Sequence, residues 1–270
     1  MNLSERIDDR TRAYPRGDAQ EQHPATARNG KGLLHHNGRV QRKKQVQKIR
    51  EVCMRCVSWN VGSMTGRGRE LAEVLKRRRI NVACVQETKW KGAKTKEIGE
   101  GYKFYYIGND GKRNGVGIVL DNELKNCVTD IKRISDRIIA VKVIVESMIL
   151  NVISVYAPQT GSDDDVKAMF WEDFDGLMIS IPESEELYVG GDFNGHVGVQ
   201  NVNYDRVHGG RAIGNRNEDG ETLLETASAF DLAIINTWFK KKEEHLITYK
   251  SGQYATQIDF FLTRRNKLLL

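Results

Sequence analysis

Leu187-Tyr188-Val189-Gly190-Gly191-Asp192-Phe193-Asn194 is an apolar stretch, punctuated by two glycines, that closes on polar side chains. It reads as a short buried strand, and Gly190 and Gly191 let its backbone crowd against a neighbour. In an extended segment residues i and i+2 point the same way, so Asp192 and Asn194 are expected together on one face at the strand mouth. A carboxylate beside a neutral amide suits hydrolysis at phosphorus: the anion aligns or deprotonates water while the amide donates to crowded phosphate oxygens. The alternative is a turn in which Asp192 and Asn194 bond their own backbone.

Outward from this strand the chain alternates short apolar runs with helical periodicity. Upstream, 55–60 reads as a strand, 69–79 as a helix with Leu71, Val74 and Leu75 on one face, and 81–86 as a second strand. Strands follow at 102–107, 116–120, 138–145 and 148–156, joined by Gly, Asn or Asp connections that suit antiparallel pairing. The period then changes over 163–179, where Val166, Phe170, Phe174, Leu177 and Met178 make an apolar helix face that Pro182 closes. Downstream, the polar, Gly-rich stretch 195–219 is too long for a simple connection and is expected to be a functional loop with a flexible basic tip at His208-Gly209-Gly210-Arg211. A helix over 220–229 and strands at 232–236, 245–249 and 257–262 complete the pattern. These elements make one α/β domain of roughly 210 residues.

The formal charge of +6 is unevenly placed: residues 1–56 hold 13 Lys/Arg against 6 Asp/Glu, and the remainder is close to neutral. The arm 1–56, cationic and without apolar periodicity, is expected to be a disordered tail, with Arg42-Lys43-Lys44 able to sample phosphate backbones or act as a nuclear address; a solvated leader without a partner is the plainer alternative. Four cysteines and no secretory-looking leader fit a reducing compartment, and no apolar run reaches the ~20 residues a membrane span needs. Cys53 and Cys56 form a lone C-x-x-C that a strand would turn to opposite faces, which argues against a shared metal.

Polar groups recur where the buried runs end: Ser58-Trp59-Asn60, Gln86-Glu87-Thr88, Tyr156-Ala157-Pro158, Gly191-Asp192-Phe193-Asn194 and Gln257-Ile258-Asp259. This ordered set, over about 57–266, resembles the endonuclease/exonuclease/phosphatase superfamily, and within it the endonuclease domains of non-LTR retrotransposons and craniofacial development protein 2-like proteins. The resemblance implies a four-layer α/β/β/α sandwich of two mostly antiparallel sheets with outer helices. It also implies a Mg2+-dependent DNA endonuclease, with Mn2+ as the alternative ion, acting on duplex DNA as a nuclear or nuclear and cytoplasmic, non-secreted monomer. By the same resemblance Glu87 is the metal ligand, Asn60 holds the metal-site carboxylate or the attacking water, and Asp192 orients or activates that water. Asn194 and Tyr156 donate to phosphoryl oxygens, Thr248 contacts phosphate from a 246–249 strand, and Asp259 holds a catalytic imidazole.

One part of the pattern is absent. Family members continue to a Ser-Asp-His that no stretch of this sequence contains, and His23, His35, His36, His196, His208 and His245 all lie elsewhere. The resemblance therefore implies a sheet lacking its last strand and an impaired or inactive enzyme, since general acid–base groups are worth roughly 10²- to 10⁴-fold. Gly62 stands where DNA-repair members carry an acid, which favours a retrotransposon-type ancestor. A non-catalytic DNA-binding or scaffold protein and a small-molecule or lipid phosphatase are the alternatives.

Overall fold

The computed structural model describes residues 54–268. Five strands form one sheet in the order β1 (Cys56–Asn60), β2 (Val82–Gln86), β5 (Val116–Leu120), β4 (Tyr102–Gly108), β3 (Gly92–Gly99). Six form a second, ordered β10 (Leu232–Ile234), β13 (Asp259–Arg264), β9 (Glu186–Asp192), β8 (Met148–Tyr156), β7 (Ile138–Val145), β6 (Val128–Ser135). Pairing is antiparallel except for β1 with β2 and β8 with β9.

Three apolar cores separate four layers. Helix α1 (Gly68–Arg77) buries Leu71, Val74 and Leu75 against Ala83, Val85 and Phe104 of the first sheet. Helices α2 (Asp164–Ile179) and α3 (Glu218–Ala229) pack Phe170, Phe174, Leu223 and Leu224 onto Ile153, Val189 and Phe260 of the second. Between the sheets lie Cys84, Ile118, Ile139, Val152, Tyr156 and Phe261. Strands β2 and β5 are buried along their whole length because both their faces are covered, which explains their unbroken apolar runs.

The crowding expected of Gly190 and Gly191 is present. A Cβ on Gly190 would lie 2.5 Å from the Phe261 ring and 2.9 Å from Cys84 Sγ across the sandwich, and one on Gly191 would lie 2.3 Å from Val155 on the next strand. Gly190→Ala is therefore expected to destabilise the domain by about 1–3 kcal/mol. Thermal unfolding checks this, with a melting point lowered by roughly 2–4 °C per kcal/mol; an unchanged melting point would show that the sheets part at no cost.

Several expectations are corrected. Edge strands β3 and β6 were unforeseen because Lys94, Thr95, Lys96, Thr129 and Asp130 carry no apolar alternation; such charges blunt an open edge. The segment 245–249 is not a core strand. A 3₁₀ turn, Glu243–His245, precedes a separate exposed hairpin of β11 (Tyr249–Ser251) and β12 (Tyr254–Thr256). Val166 is exposed rather than part of the α2 core face, although α2 ends at Ile179, as the spacing before Pro182 predicts. His208 is fully buried, so the 195–219 segment has a packed, not a flexible, centre. Arg216 ties that segment together by donating to the Val197 carbonyl at 3.2 Å and to Glu221 at 2.9 Å. Burial and the Arg216 charge push the His208 pKa down to about 4, leaving a neutral imidazole that accepts from Gly210 N. The tail expectation falls on residues outside those described, apart from Met54 to Cys56, and Cys53 lies outside them too.

Candidate active site

Strand ends from both sheets meet at one edge of the sandwich. In the second sheet, register places Tyr156, Asp192 and Asp259 in one row across β8, β9 and β13. In the first, Asn60 ends β1 beside Gln86, and Glu87 follows β2 directly. A girdle of backbone bonds ties these ends together: Thr88 N to Gly115 O (2.9 Å), Gly115 N to Asp136 O (3.0 Å), Tyr156 N to Arg137 O (2.9 Å), Ala157 N to Asp192 O (2.9 Å) and Phe193 N to Ile258 O (2.8 Å).

Asn60 joins the two sheets. Its Nδ2 donates to Glu87 Oε1 and to Asp192 Oδ2, both at 3.0 Å, and its Oδ1 accepts from Gly62 N. The Tyr156 hydroxyl donates to Glu87 Oε1 at 2.7 Å, and Lys89 Nζ lies 3.4 Å from Oε2. Burial raises the Glu87 pKa, but the bonds from Asn60 and Tyr156 and the Lys89 charge outweigh it, so the net shift is downward and the carboxylate is anionic at neutral pH. Tyr156 shifts upward through burial and its bond to Glu87, so it stays a neutral donor. Burial also raises Asp192, to about 6, against bonds from Asn60 and Asn194 N. Glu87 and Asn194 hold positive φ, +52° and +51°, a backbone cost that clusters at functional sites.

The structure brings Asn60, Glu87, Tyr156, Asp192 and Asp259 to one edge, with some contacts other than those anticipated. Asn194 does not share a strand face with Asp192: β9 ends at Asp192, the chain turns, and Asn194 Nδ2 donates to the Ala157 carbonyl at 2.8 Å. Tyr156 grips Glu87. Thr248 lies on no strand; its Oγ1 accepts from Ile258 N and Asp259 N, which pins the start of β13. Asp259 Oδ1 is buried without a partner. Two cations flank the group and were not singled out from sequence: Lys89, two residues past Glu87, and Arg137, in the β6–β7 turn. Lys89 was available from its spacing to Glu87; Arg137 reads as an ordinary turn residue until β8 is placed beside it.

Among the described residues no three His, Cys, Asp or Glu side chains cluster as a metal cage. The donor set fits a looser arrangement. Glu87 presents an ionised carboxylate whose Oε2 has only the long Lys89 contact, and Mg2+ is commonly held by one or two carboxylates while keeping its waters.

The sequence profile of the endonuclease/exonuclease/phosphatase family matches residues 57–266. The chain belongs to this family. Its sequence relatives include craniofacial development protein 2 of Bos taurus, 31% identical over 212 residues, and that of Tragulus javanicus, 29% identical over 212. Those matches take in 77% of this chain but 35% and 36% of the relatives, so the chain spans about a third of their length. Among solved members of the fold, an AP endonuclease from Archaeoglobus fulgidus superposes with a TM-score of 0.58 at 18% identity, covering 79% of this chain and 88% of that one. The endonuclease domain of TRAS1, a telomere-specific non-LTR retrotransposon, gives 0.54 at 14% identity, covering 79% and 86%. The 3′ phosphatase NExo from Neisseria, bound to a product DNA hairpin, gives 0.57 at 15% identity, covering 78% and 87%. At these identities the likeness is one of fold, and the family's two-sheet sandwich is the architecture seen here.

Proposed function

We propose that residues 57–266 form a divalent-metal-dependent phosphodiesterase site for duplex DNA, of retrotransposon-endonuclease descent. The observation that carries this reading is the Asn60 amide shared between Glu87 and Asp192: one ionised carboxylate to hold a metal, one buried carboxylate of raised pKa to act on water. Family members typically use divalent metal ions. Here Glu87 would hold Mg2+, or Mn2+ in its place, through Oε2, and the ion would supply positive charge to a phosphoryl oxygen and to the leaving oxygen.

The chain's own residues do the rest. Asn60 and Tyr156 fix the Glu87 carboxylate. Asp192, oriented by Asn60 and Asn194 N, takes a proton from the attacking water. The second Nδ2 hydrogen of Asn194 is a donor for a phosphoryl oxygen, and Thr248 acts on the site by positioning Asp259. Cleavage by residues 1–270 is slow in this reading, because Asp259 Oδ1 meets no imidazole among the described residues. That same orphaned oxygen favours a second reading, DNA binding without cleavage. Both readings place the protein in the nucleus as a monomer. No helix among the described residues is long and apolar enough to cross a membrane.

Supercoiled plasmid tests the proposal. Slow nicking is expected with Mg2+, none with EDTA, and none from Glu87→Gln. Nicking that persists in EDTA would remove the metal from the mechanism; salt-dependent binding without nicking would select the second reading. Phosphate release from inositol phosphates without action on plasmid would move the site to small-molecule substrates.

A further inference from the structure

The turn between β6 and β7 consists of Asp136 and Arg137, and it docks on the opposite sheet. The Asp136 carbonyl accepts from Gly115 N, and its carboxylate accepts from Asn114 Nδ2 at 3.0 Å. Arg137 is thereby set against Tyr156. Its carbonyl accepts from Tyr156 N at 2.9 Å, its Nη1 donates to the Tyr156 carbonyl at 3.1 Å, and its guanidinium lies 5.4 Å from the centre of the Tyr156 ring. The Tyr156 hydroxyl in turn bonds Glu87, so Arg137 stands one side chain from the candidate metal ligand.

Arg137 is half-buried, and no carboxylate oxygen among the described residues lies within 4.0 Å of its guanidinium. The adjacent acid, Asp136, is turned toward Asn114 instead. The Asp136 charge still favours the Arg137 cation, but burial outweighs it, so the guanidinium is partly desolvated without a direct ion pair, and its geometry is held by bonds to Tyr156 at both the carbonyl and the guanidinium. Of five guanidinium N–H groups, one is used on the Tyr156 carbonyl, which leaves a planar fork suited to phosphate. We infer that Arg137 is a phosphate-binding residue, contacting a phosphodiester of the DNA strand that enters over Tyr156. This assignment rests on the DNA reading proposed above and extends it to a residue that reading does not use.

The test is duplex-DNA binding by the full chain, measured by fluorescence anisotropy across a KCl series, with melting curves as a folding check. Arg137→Met keeps an apolar cover on the Tyr156 ring and removes the charge. It is expected to weaken binding by about 10-fold at moderate salt and to reduce the slope of log K against log[KCl] by about 1, the signature of one lost phosphate contact. Arg137→Lys should keep the wild-type slope with an intermediate affinity. If Arg137→Met melts early, Arg137→Gln, which retains a donor for the Tyr156 carbonyl, takes its place with the same expectation. A wild-type slope in the folded neutral variant would reduce Arg137 to a packing residue and overturn the assignment alone. No DNA binding by the wild-type chain at low salt would overturn the assignment together with the DNA reading.

Discussion

Asp192→Asn is expected to lower metal-dependent cleavage of duplex DNA by about 10²- to 10⁴-fold while DNA binding persists. The amide cannot take a proton from water, and it fits the site poorly. Both Asp192 oxygens accept, Oδ1 from Asn194 N and Oδ2 from Asn60 Nδ2, so an asparagine must turn its own NH2 toward one of those donors. The pH profile separates loss of a base from loss of geometry. Burial, helped by the Glu87 charge, raises the Asp192 pKa from 3.8 to about 6. A base must be ionised to act, so the wild-type rate should fall as pH drops through about 6 and level off above it. The residual rate of Asp192→Asn should lack that limb. Single-turnover plasmid nicking with excess protein, from about pH 5 to pH 8, reads both effects even at a slow rate. A variant that keeps the limb, or that cleaves within a few-fold of wild type, would place the base elsewhere.

Much of this edge was readable from the chain alone, for a physical reason. A buried strand announces its end when an apolar run stops at a polar side chain, and Asn60, Gln86-Glu87, Tyr156 and Asp192 are such stops. Register in a sandwich then gathers strand ends, and Tyr156, Asp192 and Asp259 fall in one row. Elements whose side chains face water were harder. Lys94 and Lys96 on β3 look like loop residues because nothing apolar alternates with them. The 245–249 segment misled in the opposite direction: Leu246, Ile247 and Tyr249 suggest a strand, yet Leu246 is buried from a turn while Tyr249 is exposed on a hairpin that joins neither main sheet. Contacts made across the sandwich were also hidden. The bond from Tyr156 to Glu87, a partner 69 positions away, has no signal in the sequence, and His208 lies buried in a stretch whose glycines suggest mobility.

Asp259→Asn is expected to make the domain more stable at neutral pH, by roughly 1–3 kcal/mol, although the carboxylate belongs to the candidate site. Asp259 is buried, pairs in register with Asp192, and has an Oδ1 without a partner. Desolvation and the Asp192 charge raise its pKa well above the usual 3.8, and the bond from the Thr248 hydroxyl opposes them only in part. A group whose folded pKa exceeds its unfolded value favours the fold fully below the unfolded pKa, and that contribution is lost as pH rises toward the folded value. Wild-type stability should therefore decline, relative to the variant, from about pH 4 upward. The substituted amide would have the same shape and nothing to ionise, so the gain should be largest near pH 7 and vanish near pH 4. Asp192, raised from 3.8 to about 6, carries a comparable cost of about 3 kcal/mol, but its two oxygens are both bonded and its amide would forfeit one of them. Urea unfolding of wild type and Asp259→Asn at several pH values decides the matter. A variant less stable than wild type at pH 7, or a gain that persists undiminished at pH 4, would mean that Asp259 is satisfied in the fold. The predicted gain would identify the residue as an ionisable group kept in the interior at the expense of stability, which is intelligible only if the site needs it.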